Sequence, residues 1–272
     1  LARDELRVLQ AVEQGMKNHD LVPVELISTI ASLKHGGAFK CLSTLLRGKL
    51  LRHDRKKYDG YSLNSLGYDY LAFNTLAKRG IVRAIGRQIG VGKESDVFIG
   101  LDDAEENHVV CKVPAPPVLY LARLAATKEI AFMRSTLNPK PYTRCLYEAG
   151  FPVPKPLDQN RHCVVMSLVD AFPLTQVREL RNPGKIFAKL MELHIRLARC
   201  GLVHCDFNEF NVMISENEEL TVIDFPQMVS VAHPNARYYF DRDVQCLKLF
   251  FERRYNFVVR LPLPLPAKSK LT

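Results

Sequence analysis

His204-Cys205-Asp206-Phe207-Asn208-Glu209-Phe210-Asn211, followed by Val222-Ile223-Asp224-Phe225-Pro226, is the stretch that decides the fold. It sets an Asp and an Asn five positions apart and adds a second Asp after a β-type run. Asp206 is placed to accept, or orient, a hydroxyl or water at a phosphoryl group. Asn211 and Asp224 offer hard oxygen ligands of the kind Mg²⁺ takes. The joint spacing is the layout by which kinase-fold enzymes hold a phosphoryl acceptor and the metals that neutralise ATP. His204 reads as a structural residue tying the loop to neighbouring backbone, and Cys205 as a small packing residue.

Upstream, an apolar-periodic helix from about Pro183 to Cys200, capped by Gly201, leads into this loop. Further back, Ile89-Gly90-Val91-Gly92-Lys93-Glu94-Ser95-Asp96-Val97 alternates apolar residues around a glycine pair. Glycines let backbone N–H groups approach phosphate oxygens without a Cβ clash, although the same residues also suit an ordinary structural turn. A Walker A loop is excluded, because Arg87 stands where its first Gly belongs and Glu94 where its Ser/Thr belongs. Against the kinase loop pattern Gly90, Gly92 and Val97 fit, and Ser95 replaces the third glycine.

Val109-Val110-Cys111-Lys112-Val113 is a buried-strand pattern interrupted by one lysine, which is costly unless paired. Glu129, in the helical run Leu119 to Met133, is its natural partner; a snorkelling edge-strand lysine is the plainer alternative. Val164-Val165-Met166-Ser167-Leu168-Val169 reads as a strand ending in a hinge, and equally as a core strand. Val91, Lys93, Glu94, Ser95, Val110, Met166, Ser167, Val169 and Met213 complete the expected nucleotide-binding set.

The first third has a different texture. Residues 1–88 hold fifteen Lys/Arg against eight Asp/Glu, most of the net charge of +9. Three helical-period segments are visible: Leu6 to Met16, Pro23 to Ile30, and Phe39 to Leu46 after a Gly36-Gly37 turn. Strand-like Leu50-Leu51-Arg52 and Tyr61-Ser62-Leu63 flank a turn rich in Asp, Lys and Gly, and Leu66 to Lys78 resumes helical spacing. This is a winged helix. Arg47, Lys49, Arg52, Arg55, Lys56 and Lys57 would lie along a phosphate backbone; a solvated basic surface, or protein contacts, would use the same charges.

The chain resembles the Rio atypical kinases, in particular the winged-helix-bearing Rio kinase two subfamily. The strings that carry the resemblance are the winged helix, Gly90 to Asp96, Phe151-Pro152-Val153-Pro154-Lys155-Pro156, Asp206 to Asn211, Ile223 to Val229 and His233-Pro234-Asn235-Ala236. The resemblance implies an α+β protein in three parts: a winged helix over 1–88, a kinase N-lobe with Gly-rich loop and hinge over 89–169, and a reduced C-lobe over 170–272. It also implies an ATP- and Mg²⁺-dependent factor of small ribosomal subunit maturation, cytoplasmic or shuttling through the nucleus, monomeric, and working on a pre-ribosomal particle of rRNA and ribosomal proteins. Lys112 and Glu129 become the ATP-positioning pair, Asp206 the catalytic Asp, and Asn211 and Asp224 the metal ligands. Cys205 stands where the family usually has Gly, a small-for-small change expected to leave Asp206 in place.

Forty-eight residues follow Asp224 and hold no Ala-Pro-Glu sequence, and Pro226 stands where a switching glycine would be. Both features favour ATP hydrolysis over peptide phosphorylation, with Asp224 itself a possible phosphoryl acceptor. A small-molecule phosphotransferase of the aminoglycoside or choline kinase type shares the Asp-Asn-Asp layout but has no use for a basic winged helix. A non-catalytic scaffold would not need the full set of catalytic side chains. Seven scattered cysteines without a C-x-x-C pair fit reduced thiols, no apolar run approaches a membrane span, and Leu261-Pro262-Leu263-Pro264-Leu265-Pro266 reads as an extended linker.

Overall fold

The computed structural model describes residues 1–33, 36–55, 58–91, 95–102, 108–114, 142–225 and 227–258. The chain is α+β and divides into two compact units, residues 1–131 with 157–167 and residues 132–156 with 168–272.

In the first unit, α1 (Arg3–Gly15), α2 (Val24–Ala31) and α3 (Gly37–Arg47) precede a hairpin of β1 (Leu51–Asp54) and β2 (Gly60–Leu63). The helices bury the stripes that sequence periodicity marks, Val8, Leu9 and Val12 on α1 and Leu42 and Leu45 on α3. The hairpin register, Leu51 opposite Leu63 and Asp54 opposite Gly60, makes the wing. Helix α4 (Ser65–Lys78) is capped by Asn64, whose Oδ1 accepts from Gly67 N at 2.9 Å while its Nδ2 donates to Lys49 O at 2.6 Å. A Cβ on Gly67 would sit 2.2 Å from Leu50 O, so only glycine lets α4 lie this close to the start of the wing.

Strands β3 (Ala84–Val91), β4 (Ser95–Leu101), β5 (His108–Pro114), β6 (Pro156–Asn160) and β7 (Cys163–Ser167) form an antiparallel sheet in the order β3-β4-β5-β7-β6. Its core is shared with the winged helix: Ala72 and Leu76 of α4 pack with Val109, Cys111, Cys163 and Val165. Arg161 donates to both Glu13 carboxylate oxygens at 2.6 and 2.7 Å, and His162 lies 2.7 Å from Asp69. The expected boundary at residue 88 therefore falls inside β3, and the helical module and the sheet form one compact unit.

In the second unit, α5 (Tyr142–Glu148) precedes β8 (Phe172–Pro173), α6 (Pro183–Arg199) and β9 (Leu202–Val203). Then come β10 (Val212–Ile214), β11 (Leu220–Val222), β12 (Val229–Ser230) and α7 (Ala236–Tyr255). Asn182 caps α6 through Lys185 N at 2.9 Å, with Pro183 opening the first turn. The apolar faces of α6 and α7 meet around Phe187, Leu190, Phe240, Leu247 and Phe251. Among the described residues no helix is long and apolar enough to cross a membrane, and no disulfide joins any two of the seven cysteines.

Candidate active site

The second unit builds its site on a loop and a hairpin. The loop leaves β9 at Val203 and is anchored by Phe207, which is fully buried. The hairpin returns the chain: Val212 pairs with Val222, and one step further Ile223 N donates to Asn211 O at 2.9 Å. Antiparallel pairing thus draws Asp224 to Asn211, thirteen residues away in sequence.

Asn211 Nδ2 donates to Asp206 Oδ2 at 2.8 Å and to Asp206 O at 2.9 Å, and Asn208 Nδ2 donates to Asp206 Oδ1 at 2.7 Å. Both carboxylate oxygens of Asp206 are therefore oriented by amides. With its N–H groups turned to Asp206, Asn211 keeps Oδ1 for a cation. Asp224 is half-buried and its backbone lies in the left-handed region, φ 68°. Asp tolerates that region better than most residues, and such strain collects at functional sites. An amide oxygen beside a carboxylate fits Mg²⁺, which takes one or two protein oxygens and completes its octahedron with phosphate and water. Among the described residues there is no cluster of three or more His, Cys, Asp and Glu.

Cys205 also has positive φ, 65°, and is buried. The small-for-small change therefore carries a backbone cost: the position suits glycine because a Cβ costs about 1–2 kcal/mol in that region. The loop keeps its shape because two residues of α7 hold the Cys205 peptide. Asp243 Oδ2 accepts from Cys205 N at 2.9 Å, and Arg242 Nη2 donates to Cys205 O. Asp243 is only 2% exposed. Burial pushes its carboxyl up to about 7, against the opposing pull of the Phe207 N–H, Arg242 and the Cys205 N–H. The Cys205 thiol is raised by burial to about 11, which makes it a packing group rather than a nucleophile.

His204 is fully buried against Phe207 and Phe225, and neither ring nitrogen has a hydrogen-bond partner among the described residues. The expected tie to neighbouring backbone is thus replaced by ring packing. Burial lowers its pKa to about 4 despite the nearby charge of Asp224, so it is neutral at pH 7. His194 of α6 behaves alike: stacked between Phe207 and Phe240, it is lowered by burial to about 3.

The sequence reading missed Arg242, Asp243 and His194. One signal for Asp243 was present: it falls on the buried stripe Phe240, Val244, Leu247 and Phe251 of α7, where an acid needs a partner. A groove of about 460 Å³ on the same loop is lined by Asn208, Glu209, Phe210, Cys246, Leu249 and Arg253. It is lined by none of Asp206, Asn211 and Asp224, and touches that cluster only through Asn208.

The expected nucleotide residues of the first unit gather on one sheet. Val97 pairs with Lys112 and Gly90, Lys112 with Val164, and Val110 with Met166. Val97, Val110 and Met166 are half-buried, on the face opposite Cys111 and Val165, which pack on α4. A Cβ on Gly90 would make only ordinary contact with Val97 at 3.5 Å, so packing does not demand glycine there. Val91 is 81% exposed, whereas Ser95 is buried at the start of β4. Ser167 ends β7, and Val169 lies where the chain passes from the first unit to the second. Met213, of the second unit, lies in the middle of β10 between buried Val212 and Ile214. Gly92, Lys93, Glu94, Glu129 and Pro226, the helical run Leu119 to Met133, the Leu-Pro tail and the side chain of Lys112 lie outside the described residues.

Two family models match the chain: Rio2, N-terminal, over residues 1–79, and RIO domain over residues 115–262. The serine/threonine-protein kinase rio2 of Dictyostelium discoideum is 50% identical over 278 residues, covering 95% of this chain and 51% of that protein. The Schizosaccharomyces pombe protein of the same name is 42% identical, covering 96% of this chain and 79% of the relative. The chain thus spans about half the length of the Dictyostelium relative. The Rio2 kinase of Chaetomium thermophilum, crystallised as an ADP/Mg²⁺-phosphoaspartate complex, superposes with a TM-score of 0.85 at 44% identity, covering 97% of this chain and 84% of that one.

Proposed function

Because this chain belongs to the RIO-domain family, in its Rio2 group, we propose that it is an atypical serine/threonine kinase and ATPase that moves the γ-phosphoryl group of ATP with Mg²⁺. One observation carries the reading. Asn211 is hydrogen-bonded to Asp206, and the β10–β11 hairpin brings the backbone of Asp224 next to that of Asn211, so the three residues we assign to the chemistry converge on one loop and hairpin.

Asn211 and Asp224 would hold Mg²⁺, which would supply neutralisation of the phosphate charge. Asp206, oriented by two amides, accepts the proton of the attacking hydroxyl or water or fixes its direction. Gly90, Lys112 and Glu129 of the first unit are the residues we assign to the ATP phosphates. Asp224 is also the carboxylate we assign as phosphoryl acceptor. Its oxygen forms a bond to the γ-phosphorus as the bond to the β-phosphate oxygen breaks, ADP leaves, and water then hydrolyses the acyl phosphate. The phosphoaspartate in the Chaetomium Rio2 kinase supports this assignment.

With γ-labelled ATP, label should appear on the protein, be released by hydroxylamine, and be absent from Asp224→Asn. Asp206→Ala should lower phosphate release at least about 100-fold while retaining most ATP affinity. Rapid transfer to a peptide with negligible phosphate release would overturn the ATPase reading, and unchanged turnover in Asp206→Ala would show the loop misassigned.

We further propose that it works on a pre-ribosomal small-subunit particle, in the cytoplasm or shuttling through the nucleus, with a monomeric chain contacting RNA through the winged helix. The uneven charge and the exposed cations of α3 and the wing support the RNA contact, and the particle, compartment and monomeric state rest on the family resemblance.

A further inference from the structure

Helix α3 turns an unusual face to solvent. Ala38, Leu42 and Leu45 are buried on one side. Opposite them, within an arc of roughly 100° at 3.6 residues per turn, stand Phe39, Lys40, Ser43 and Arg47. Phe39 is 61% exposed, and Lys40 and Arg47 are exposed beside it. Lys49 and Arg52, on the turn after α3 and on β1, are also exposed. Among the described residues none of these four cations has an ion-pair partner, whereas Arg55 is paired with Asp59.

The hydroxyls on this face are turned inward. Ser43 Oγ donates to Phe39 O at 3.0 Å and Thr44 Oγ1 donates to Lys40 O at 3.2 Å. The helix therefore presents a flat apolar ring among cations rather than a row of polar readers. That is a poor match to a B-form major groove, which is read by directed hydrogen bonds. The A-form major groove is too deep and narrow for side chains to read at all. It is a good match to unpaired RNA, where splayed bases stack on aromatic rings and the backbone follows a basic track.

We propose that Phe39 is a stacking platform for an unpaired base of single-stranded RNA, with Lys40, Arg47, Lys49 and Arg52 holding the flanking phosphates. The inference rests on the ribonucleoprotein reading above and specifies the form of RNA bound. Fluorescence anisotropy of the full chain with a labelled oligouridine and with an RNA duplex tests it. Oligouridine should bind tighter than duplex. Phe39→Ala should weaken oligouridine binding about 5- to 150-fold, the loss of one base–aromatic stack, with the salt slope unchanged. Phe39→Trp should restore it, and Arg47→Ala should instead flatten the salt slope. Equal affinity for duplex together with an indifferent Phe39→Ala would overturn the stacking site while leaving an RNA partner standing. Binding to neither RNA overturns the partner reading as well and reassigns the face to protein contact. The exposure of Phe39 keeps folding out of the comparison, which circular dichroism of each variant verifies.

Discussion

Asp243 shows what one side chain does for the loop that carries Asp206. It accepts the Cys205 N–H from a distance of 38 residues in sequence, while Arg242 holds the Cys205 carbonyl, so a peptide in a strained conformation is gripped at both ends. The grip has a pH signature. The Asp243 carboxyl is raised by burial to about 7, above its unfolded value, so its stabilising contribution is complete below about pH 4 and is lost as pH rises to about 7. His194 and His204 have the opposite sign: both are lowered by burial, so their contribution is present above about pH 6.5 and is lost as pH falls toward 3–4. Asp243→Asn keeps an acceptor for Cys205 N and removes only the first effect. Relative to the parent, its urea midpoint should rise steadily from about pH 4 to about pH 7. A difference that stays constant over that range would remove Asp243 as the source. At this scale Asp206, Asn211 and Asp224 were legible because their chemistry and spacing are local properties. Asp243 was not, because an acid on a helix stripe declares a partner without saying which.

Helix α4 makes the same point one level up. Its helical spacing was readable, but not that Tyr68 and Leu71 would serve the winged-helix core while Ala72 and Leu76 serve the sheet. Periodicity reports which side of a helix is buried; a helix buried on two sides blurs the signal. Gly67 is the residue that sets its approach to the wing. Helix propensity alone favours Ala there by about 1 kcal/mol. The clash of a Cβ with Leu50 O at 2.2 Å is with backbone and opposes that gain. Gly67→Ala should therefore lower thermal stability, by about 1–3 kcal/mol. Gly37→Ala, at the start of α3 with nothing within 4 Å of an added Cβ, should be neutral or stabilising. Equal effects at the two positions would refute the steric account. The β10–β11 hairpin belongs to this scale too: each strand has only three residues, yet their pairing is what brings Asn211 to Asp224.

Over the whole chain, positive charge and phosphoryl chemistry occupy different stretches of sequence, the first third and the segment from Asp206 to Asp224. Polyanion binding and ATP turnover should therefore be separable. Replacing Lys40, Arg47, Lys49 and Arg52 together by Gln should lower the salt slope of single-stranded RNA binding by about 3. Phosphate release by the free chain should stay within about twofold of the parent; a parallel loss of turnover would show that the two activities share residues. The sequence by itself determined the spacing of Asp206, Asn211 and Asp224, the winged helix and the family, because residue spacing, helical period and long matching strings are written along one dimension. Only the tertiary structure decided that α4 joins the winged helix to the sheet, that α7 grips the Cys205 peptide through Arg242 and Asp243, and that Phe39 stands exposed among cations. Those are facts about which surfaces meet and which stay open, and close packing settles them through contacts between residues far apart in the chain.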